Sequence, residues 1–318
     1  MAAFLVRRLI QGVFILILAT LLTFLILNVL PSDPLSVFVA QNRLQNLSPE
    51  ARAALEHEWG LDKPVYAQYI SWLGNILHGD LGYSFIKRQK VSALIGRCLP
   101  ITLNETVLAT LLGSILGIIF GLICAVRRGK WIDNVLTILA NLGITVPNFW
   151  LGILMMYFFS LKLQWLPIGG YTSPFDDFWM STRQLIMPVI CLSIFILAAL
   201  TRQTRSSALE VIQQDYIRTA WAKGLSERVV MIRHVLKNSL LPIITLIGLE
   251  VPFVVGGSVV IETVFNIPGI GRQIIQAILT TDYVVVVGCI LIIVLAVVLV
   301  NLLVDILYGW IDPRLRFA

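Results

Sequence analysis

Polar side chains are uncommon inside the apolar stretches of this sequence, and three of those present are candidates for a functional role. They are Glu105, Glu250 and Asn148. An ionisable side chain inside a membrane-spanning run is costly and normally faces a cavity or a polar partner, so both glutamates are candidates for lining a path through the membrane. The alternative for Glu105 is a carboxylate near the outer interface, and the alternative for Glu250 is structural pairing within a dimer. Asn148 is a further path candidate, with interhelical hydrogen bonding as its alternative.

Residue patterns for catalysis or for a bound metal do not occur in the sequence. A GxxxxGK[ST] phosphate loop, a His-Glu-x-x-His pair and a GxSxG elbow are all missing, and the 3 histidines are scattered. The 4 cysteines lack the paired spacing of a metal site or of a disulfide framework. The sequence therefore predicts no catalytic residue, no metal site and no cofactor bound by this chain, so that any ATP must be handled by another subunit.

The composition places these residues in an integral membrane protein. Of the 318 residues, 58% are hydrophobic and only 13% are charged, and this composition is far from that of a soluble domain. A helix needs about 20 apolar residues to cross the bilayer. Runs of suitable length cover residues 9–30, Leu103–Val126, 135–161, Arg183–Arg202, Leu240–Ile261 and Tyr283–Val304. The sequence thus predicts an all-α membrane protein with six transmembrane helices.

Small residues recur along two of these runs. Gly113, Gly117 and Gly121 are spaced four residues apart, and Gly256 adjoins Gly257. Glycine allows two helix backbones to approach closely in a membrane, so both sets predict tight helix packing.

Basic residues cluster at the ends of the apolar runs. They are Arg7, Arg8, Arg127, Arg128, Lys130, seven sites from Arg202 to Lys237, Arg314 and Arg316. All of them fall on the cytoplasmic side if the N-terminus is cytoplasmic, as the positive-inside rule requires. Glu262 and Asp282 are assigned to short outer loops. The net charge of +6 is explained by this topology, which predicts cytoplasmic termini and no nucleic-acid partner.

The long segment 31–97, between the first two runs, is expected outside the cytoplasm. Ser48 can cap a helix that begins at Pro49, and Gly60 can end it. After Pro64, apolar residues recur at helical spacing, which predicts a second short helix lying on the membrane.

A second long segment, Arg202–Leu241, lies between the fourth and fifth runs. Leu209, Ile212, Tyr216 and Ala220 are spaced for one helix face. Gly224 can close that helix, and Ser226 can cap another that begins near Glu227. The pattern predicts a helix-turn-helix hairpin over residues 205–237. By itself, a basic hairpin of this kind is typical of binding to anionic lipid.

The hairpin sequence also carries a family resemblance. DYIRTAWAKGLSERVVMIRHVLKNSLLP, Asp215 to Pro242, resembles the cytoplasmic loop of binding-protein-dependent ABC importer permeases, in particular the dipeptide, oligopeptide and nickel permease family. Of the general signature of such permeases, Ala220, Gly224 and Leu236 are kept. The resemblance extends through WGLDKPVYAQY, GDLGYS, VPNFWLG, TRQTRSSALEV, ETVFNIPGIG and IDPRLRF, in that order along nearly the whole chain.

This resemblance implies a type I importer fold in a bacterial inner membrane. The chain would then comprise residues 1–30 with the first helix, an extracytoplasmic segment 31–97, and a permease core 98–318 containing the coupling hairpin 205–237. The implied partners are a second homologous permease, two ATPase subunits that bind ATP and magnesium, an extracytoplasmic solute-binding protein and membrane lipid.

The hairpin residues expected to couple the chain to an ATPase surround the turn. Ala220, Ala222, Lys223, Gly224, Leu225 and Ser226 are expected to dock in a groove of the ATPase. Arg218 and Arg228 either pair with acidic groups of the ATPase or hold the hairpin at anionic lipid.

Two other classes of protein compete with this interpretation. A self-contained, ion-coupled secondary transporter would use Glu105 and Glu250 to bind protons or cations, but it leaves the hairpin without a role. A membrane-embedded enzyme is disfavoured because no catalytic motif is present. The cargo stays open among peptides, nickel complexes, glutathione and other small solutes.

Overall fold

The computed structural model describes residues 2–29, 48–58, 60–84 and 86–311, together with Leu35 and Val39. Most of residues 31–47 and the closing residues 312–318, with Arg314 and Arg316, lie outside the described part. The transmembrane-length helices are α1 (Ala2–Val29), α4 (Val91–Val126), α7 (Phe178–Ile212), α10 (Lys237–Val264) and α12 (Tyr283–Ile311). The shorter helices are α2 (Pro49–Glu58), α3 (Val65–Leu77), α5 (Trp131–Thr145), α6 (Asn148–Met155), α8 (Asp215–Ala222), α9 (Glu227–Val229) and α11 (Ile270–Leu279).

The described chain also contains two strands and two π-helical segments. Two short strands, β1 (Tyr83–Ser84) and β2 (Gln89–Lys90), form an antiparallel ribbon. Wide π-helical turns continue α6 over Met156–Lys162 and join α9 to α10 over Val230–Leu236. As a result, the chain from Glu227 to Val264 is one continuous helical span.

The described residues contain five continuous helices that are long and apolar enough to cross a membrane, and one pair of helices, bent by 104°, that would make six if it counts as one span. The prediction of an all-α membrane protein is confirmed, with one correction to the third span. The run 135–161 is not one straight helix, because α5 ends at Thr145 and α6 begins at Asn148. Pro147 disfavours helical geometry in the residue before it, and Val146 accordingly has φ −78° and ψ 124°.

Several spans are longer than the apolar runs that predicted them. Helix α4 begins at Val91 and α7 extends to Ile212. The turns added at the end of α7 include Thr204 and Ser207, polar residues that the protein itself buries. At this end, hydropathy detected the apolar centre of the helix and missed its polar extension.

The helix face predicted before the hairpin turn is wrong. Helix α7 ends at Ile212 and α8 begins at Asp215. Between them, Gln214 has an extended backbone, with φ −73° and ψ 145°. The interruption resets the helical phase, so that Ile217 is fully buried while Tyr216 is 47% exposed.

The described chain divides into two compact units, the first formed by residues 102–267 with the chain from 299, and the second by 2–101 and 268–298. In the second unit, α3 packs inward through Tyr69, whose hydroxyl donates to the Ile17 carbonyl at 3.2 Å and lies 3.0 Å from the Thr20 hydroxyl. Trp72 is buried beside it. Helix α3 was expected to lie on the membrane, and this inward packing fixes one of its faces within the unit.

The strand ribbon of the second unit is anchored by a buried polar contact. The Ser84 hydroxyl donates to the Asp282 carboxylate, and both side chains are buried. Burial raises the pKa of the Asp282 carboxyl, and the hydrogen bond from Ser84 opposes that shift.

The first unit contains a tight contact between α4 and α7. A Cβ added to Gly117 would lie 2.7 Å from the Leu200 Cβ and 2.9 Å from the Leu197 carbonyl oxygen. Gly113 and Gly121 meet α7 equally closely, so the predicted packing role of these three glycines is confirmed. Gly256 differs, because no described atom lies within 4 Å of a Cβ placed there.

Candidate functional site

The predicted hairpin turn lies between α8 and α9. The Gly224 N–H donates to the Trp221 carbonyl at 2.9 Å, and the Leu225 N–H donates to the Ala220 carbonyl at 3.4 Å. Gly224 has φ +79°, in the left-handed region where glycine is favoured. The backbone conformation of the turn therefore favours glycine at this position.

Residues of the turn project away from the rest of the chain. Ala222, Lys223, Gly224, Leu225 and Ser226 are all exposed, and no described atom lies within 4 Å of a Cβ placed on Gly224. This tip is available for contact with another subunit.

Ala220 differs from the other residues predicted to dock, because it is only 6% exposed. It belongs to a buried cluster that joins the hairpin to the ends of α4 and α7. The cluster contains Ala125, Ala208, Ile217, Ala220, Val230, Met231 and Val235. Ala220 therefore anchors the hairpin and does not present a surface. The hairpin thus has an exposed tip, Ala222 to Ser226, and an apolar base formed by this buried cluster.

The hairpin arginines are on its outer surface. Arg218 lies 3.8 Å from the Asp215 carboxylate, and both side chains are largely exposed. Arg228 is exposed as well. An exposed ion pair of this kind contributes little to stability, so it does little to hold Arg218 in place.

Glu105 is enclosed within the first unit. Its side chain is fully buried, and neither carboxylate oxygen has a hydrogen-bond partner among the described residues. Glu262 is also fully buried and interacts electrostatically with Glu105. One Glu262 oxygen accepts a hydrogen bond from the Thr102 hydroxyl at 2.6 Å. Glu105 therefore faces the interior of its own chain and not an open surface.

Glu262 was not among the candidates drawn from the sequence. Its position at the end of an apolar run placed it in an outer loop, whereas the structure places it inside α10, which continues to Val264. Its partner Thr102 is distant in sequence, so no local pattern could have joined the two residues.

Glu250 lies on α10, and Asn148 lies on α6 beside α10. Glu250 is 7% exposed, and its Oε2 has no hydrogen-bond partner among the described residues. Asn148, at the bend before α6, has its Nδ2 3.9 Å from the position of a Cβ on Gly257. A helix rises about 1.5 Å per residue, which separates Glu250 from Glu262 by about 18 Å along the axis. Glu250 lies on α10, while Glu105 on α4 and Asn148 on α6 lie beside α10 near Glu262 and Gly257. The three predicted path residues therefore do not form one compact site.

The architecture is that of a known class of membrane transport protein. The fold resembles that of a chain in an inward-facing structure of the MetNI methionine ABC transporter, with a TM-score of 0.57 and 18% identity, covering 69% of this chain and 96% of that one. At this level of identity the likeness shows the fold, which is the type I importer permease fold that the sequence predicted.

The sequence comparisons then identify the family. Residues 117–317 match the family described as binding-protein-dependent transport system inner membrane component, and residues 1–106 match the N-terminal part of such membrane components. The chain belongs to this family. It is a permease subunit of a binding-protein-dependent ABC importer, and it is a transport subunit and not an enzyme.

Individual relatives match over almost their full length. A putative peptide transport system permease protein of Brucella abortus (strain 2308) is 41% identical over 317 residues, covering 100% of both chains. The oligopeptide transport system permease protein AppB of Bacillus subtilis (strain 168) is 38% identical and also covers 100% of both chains. The di/tripeptide transport system permease protein DppB of Pseudomonas aeruginosa (strain UCBPP-PA14) is 37% identical, covering 93% of this chain and 94% of that one.

Family membership settles the general setting of the protein. It is a multi-pass protein of the inner membrane. A permease of an ABC importer works with ATPase subunits and with a solute-binding protein, as the resemblance implied.

Proposed function

We propose that this chain forms half of the translocation path of an importer for di- or oligopeptides. The observation that carries this proposal is the identity of 37–41% to relatives named as peptide permeases, over at least 93% of this chain. A second, homologous permease supplies the other half of the path. ATP and magnesium bind to the partner ATPases, and this chain holds no cofactor.

The hairpin couples this chain to an ATPase. ATP-driven closure of the ATPases can drive transport only if the permease offers them an element whose position differs between its two states. The tip from Ala222 to Ser226 is exposed, while its base is held by the apolar cluster around Ile217. A force applied to the tip would therefore reach the ends of α4 and α7. Arg218 and Arg228 flank the tip and meet acidic groups of the ATPase.

Cargo passes along α10. Glu250 lies on this helix, and its Oε2 has no hydrogen-bond partner among the described residues. The partly exposed Asn148, on α6, lies beside the same helix near Gly257. Glu105 acts behind the path, through Glu262 on the same helix. Both chain termini and the hairpin lie in the cytoplasm, and segment 31–97 lies on the opposite side, where the binding protein delivers cargo.

The cargo proposal is tested by reconstituting this chain with its second permease, ATPases and binding protein in proteoliposomes. The probe is a defined mixture of synthetic dipeptides to pentapeptides, quantified inside the vesicles by mass spectrometry. We expect accumulation only when both ATP and the binding protein are present. Uptake by this chain alone, driven by an ion gradient, would instead support the secondary transporter.

The orientation is tested by labelling single cysteines in intact cells with a membrane-impermeant maleimide. The native cysteines are buried and give a low background. We expect Asp176→Cys, in an exposed loop, to react at once, and Lys223→Cys, in the hairpin tip, to react only after the membrane is permeabilised. The reverse order of reaction would show that the hairpin lies outside the cytoplasm, where it could not contact the ATPases.

A further inference from the structure

An ion pair between the buried Asp133 and the partly exposed Arg205 joins α5 to α7 beside the base of the hairpin. Arg205 donates from Nε to Asp133 Oδ1 at 2.7 Å and from Nη2 to Oδ2 at 2.8 Å. Asp133 is only 2% exposed, and its Oδ2 also accepts the Gly129 N–H at 3.0 Å. A two-point contact between a planar guanidinium and a carboxylate fixes direction as well as distance. Helix α5 can therefore neither rotate nor slide against α7 at this point without breaking the pair.

The pair lies beside the base of the hairpin. Arg205 precedes Ala208 by less than one helical turn, and Ala208 is fully buried in the cluster that contains Ile217 and Ala220. Asp133 lies in the first turn of α5, directly after the turn that leaves α4. The ion pair thus extends the attachment of the hairpin from α4 and α7 to α5.

A second contact holds α5 along α7 near its other end. A Cβ on Gly143 would lie 2.8 Å from the Ile194 Cγ2 and 3.4 Å from the Ala198 Cβ. Just beyond Gly143 the span bends by 104° at Val146 and Pro147. Helix α5 is therefore fixed to α7 at both ends and leads directly into the bend.

We propose that Asp133 and Arg205 are a positioning pair that makes α5, and the bent span it begins, move together with the coupling hairpin. This proposal rests on the proposed role of the hairpin. It adds a second set of elements, α5 and the helix that follows the bend, through which movement of the hairpin reaches the membrane. Apolar packing alone allows sliding, whereas the forked pair transmits displacement along its bonds. Without Arg205, the buried Asp133 carboxylate loses its compensating charge.

The test uses the complete reconstituted importer and the same peptide mixture, and it measures the ratio of peptide accumulated to ATP hydrolysed. Asp133→Asn removes the charge but keeps the shape, and Arg205→Lys keeps the charge but removes the fork. We expect each variant to lower the ratio about tenfold, because a misplaced element loses coupling while the ATPases stay intact. The double variant Asp133→Arg with Arg205→Asp should recover most of the ratio.

The matched control is Arg52→Gln, which removes the exposed Arg52–Glu56 pair at 3.1 Å and should leave the ratio unchanged. An unchanged ratio in both single variants, an equal loss of transport and hydrolysis, or a charge swap without recovery would overturn the proposal. Loss of assembly in the single variants and in the swap would assign the pair to folding and overturn it as well. Failure of the cargo proposal would appear separately, as no peptide uptake by the unmodified complex.

Discussion

Glycine serves two opposite purposes in the first unit. At the hairpin tip, Gly224 has φ +79° and open space where a side chain would be. Along α4, Gly117 has ordinary helical geometry, but a side chain there would collide with Leu200 and with the α7 backbone. The first position is restricted by backbone conformation and the second by the neighbouring helix.

The tip at Gly224 is a surface left free for a partner subunit, whereas the α4 surface at Gly117 is already packed against α7. A larger residue at the tip can be accommodated in the isolated subunit, and it would interfere only with the contact that the tip makes in the assembled importer. Larger residues along α4 prevent the subunit from packing. Substitutions of the same chemical type should therefore give opposite patterns of assembly and transport.

The largest effect is expected for Gly117→Leu. The added side chain has no space between α4 and α7, and overpacking of this kind costs about 1–3 kcal/mol or more. We expect loss of monodisperse protein, measured by size-exclusion chromatography of a fluorescent fusion in detergent. Gly96→Leu is the matched control on the same helix, since a Cβ there meets no described atom within 4 Å. Equal behaviour of the two variants would show that the α4–α7 contact is not tight.

A smaller and more specific effect is expected for Gly224→Trp. The subunit should assemble normally but lose both peptide transport and stimulated ATP hydrolysis, because the bulky ring blocks docking of the tip. Gly224→Ala serves as the control. It imposes only the left-handed backbone penalty of about 1–2 kcal/mol, so it should retain most of the transport. If the variant with tryptophan at this position kept full transport and ATP hydrolysis, the tip would not be the part of the hairpin that contacts the ATPase.

The smallest effect is expected for Gly256→Ala in the isolated subunit. The position is helical and open, so alanine should raise the unfolding free energy by about 0.5–1 kcal/mol. Thermal unfolding in detergent measures this change. Destabilisation of the isolated subunit would contradict the open environment of Gly256. Destabilisation confined to the assembled importer would identify this face of α10 as a contact with the second permease.

The sequence predicted features whose signals are local. The apolar runs located the spans, and Ser48 indeed caps α2, with the Ala51 N–H donating to its hydroxyl at 3.2 Å. Gly224 was expected to close a helix and has the backbone conformation that such a position requires. In each of these cases a residue type has one strong conformational preference that few surroundings override.

Features that depend on distant residues were not predicted. The Asp133–Arg205 pair joins residues 72 positions apart, and the Thr102–Glu262 bond joins residues 160 apart. The bend at Pro147 had a local signal, but hydropathy averaged over the run concealed it. Ala220 was assigned to the docking tip because a linear pattern does not distinguish the two faces of a short helix whose starting point is unknown.

The π-helical segment from Val230 to Leu236 has a consequence for exchanging parts between importers. A π-helical hydrogen bond spans one residue more than an α-helical one, and in an α-helix one residue corresponds to a rotation of about 100°. A chimaera that grafts a foreign hairpin onto α10 with an ordinary helical junction would orient the graft toward the wrong side. A hairpin exchanged between homologues should therefore be transferred together with the seven residues of this π-helical segment.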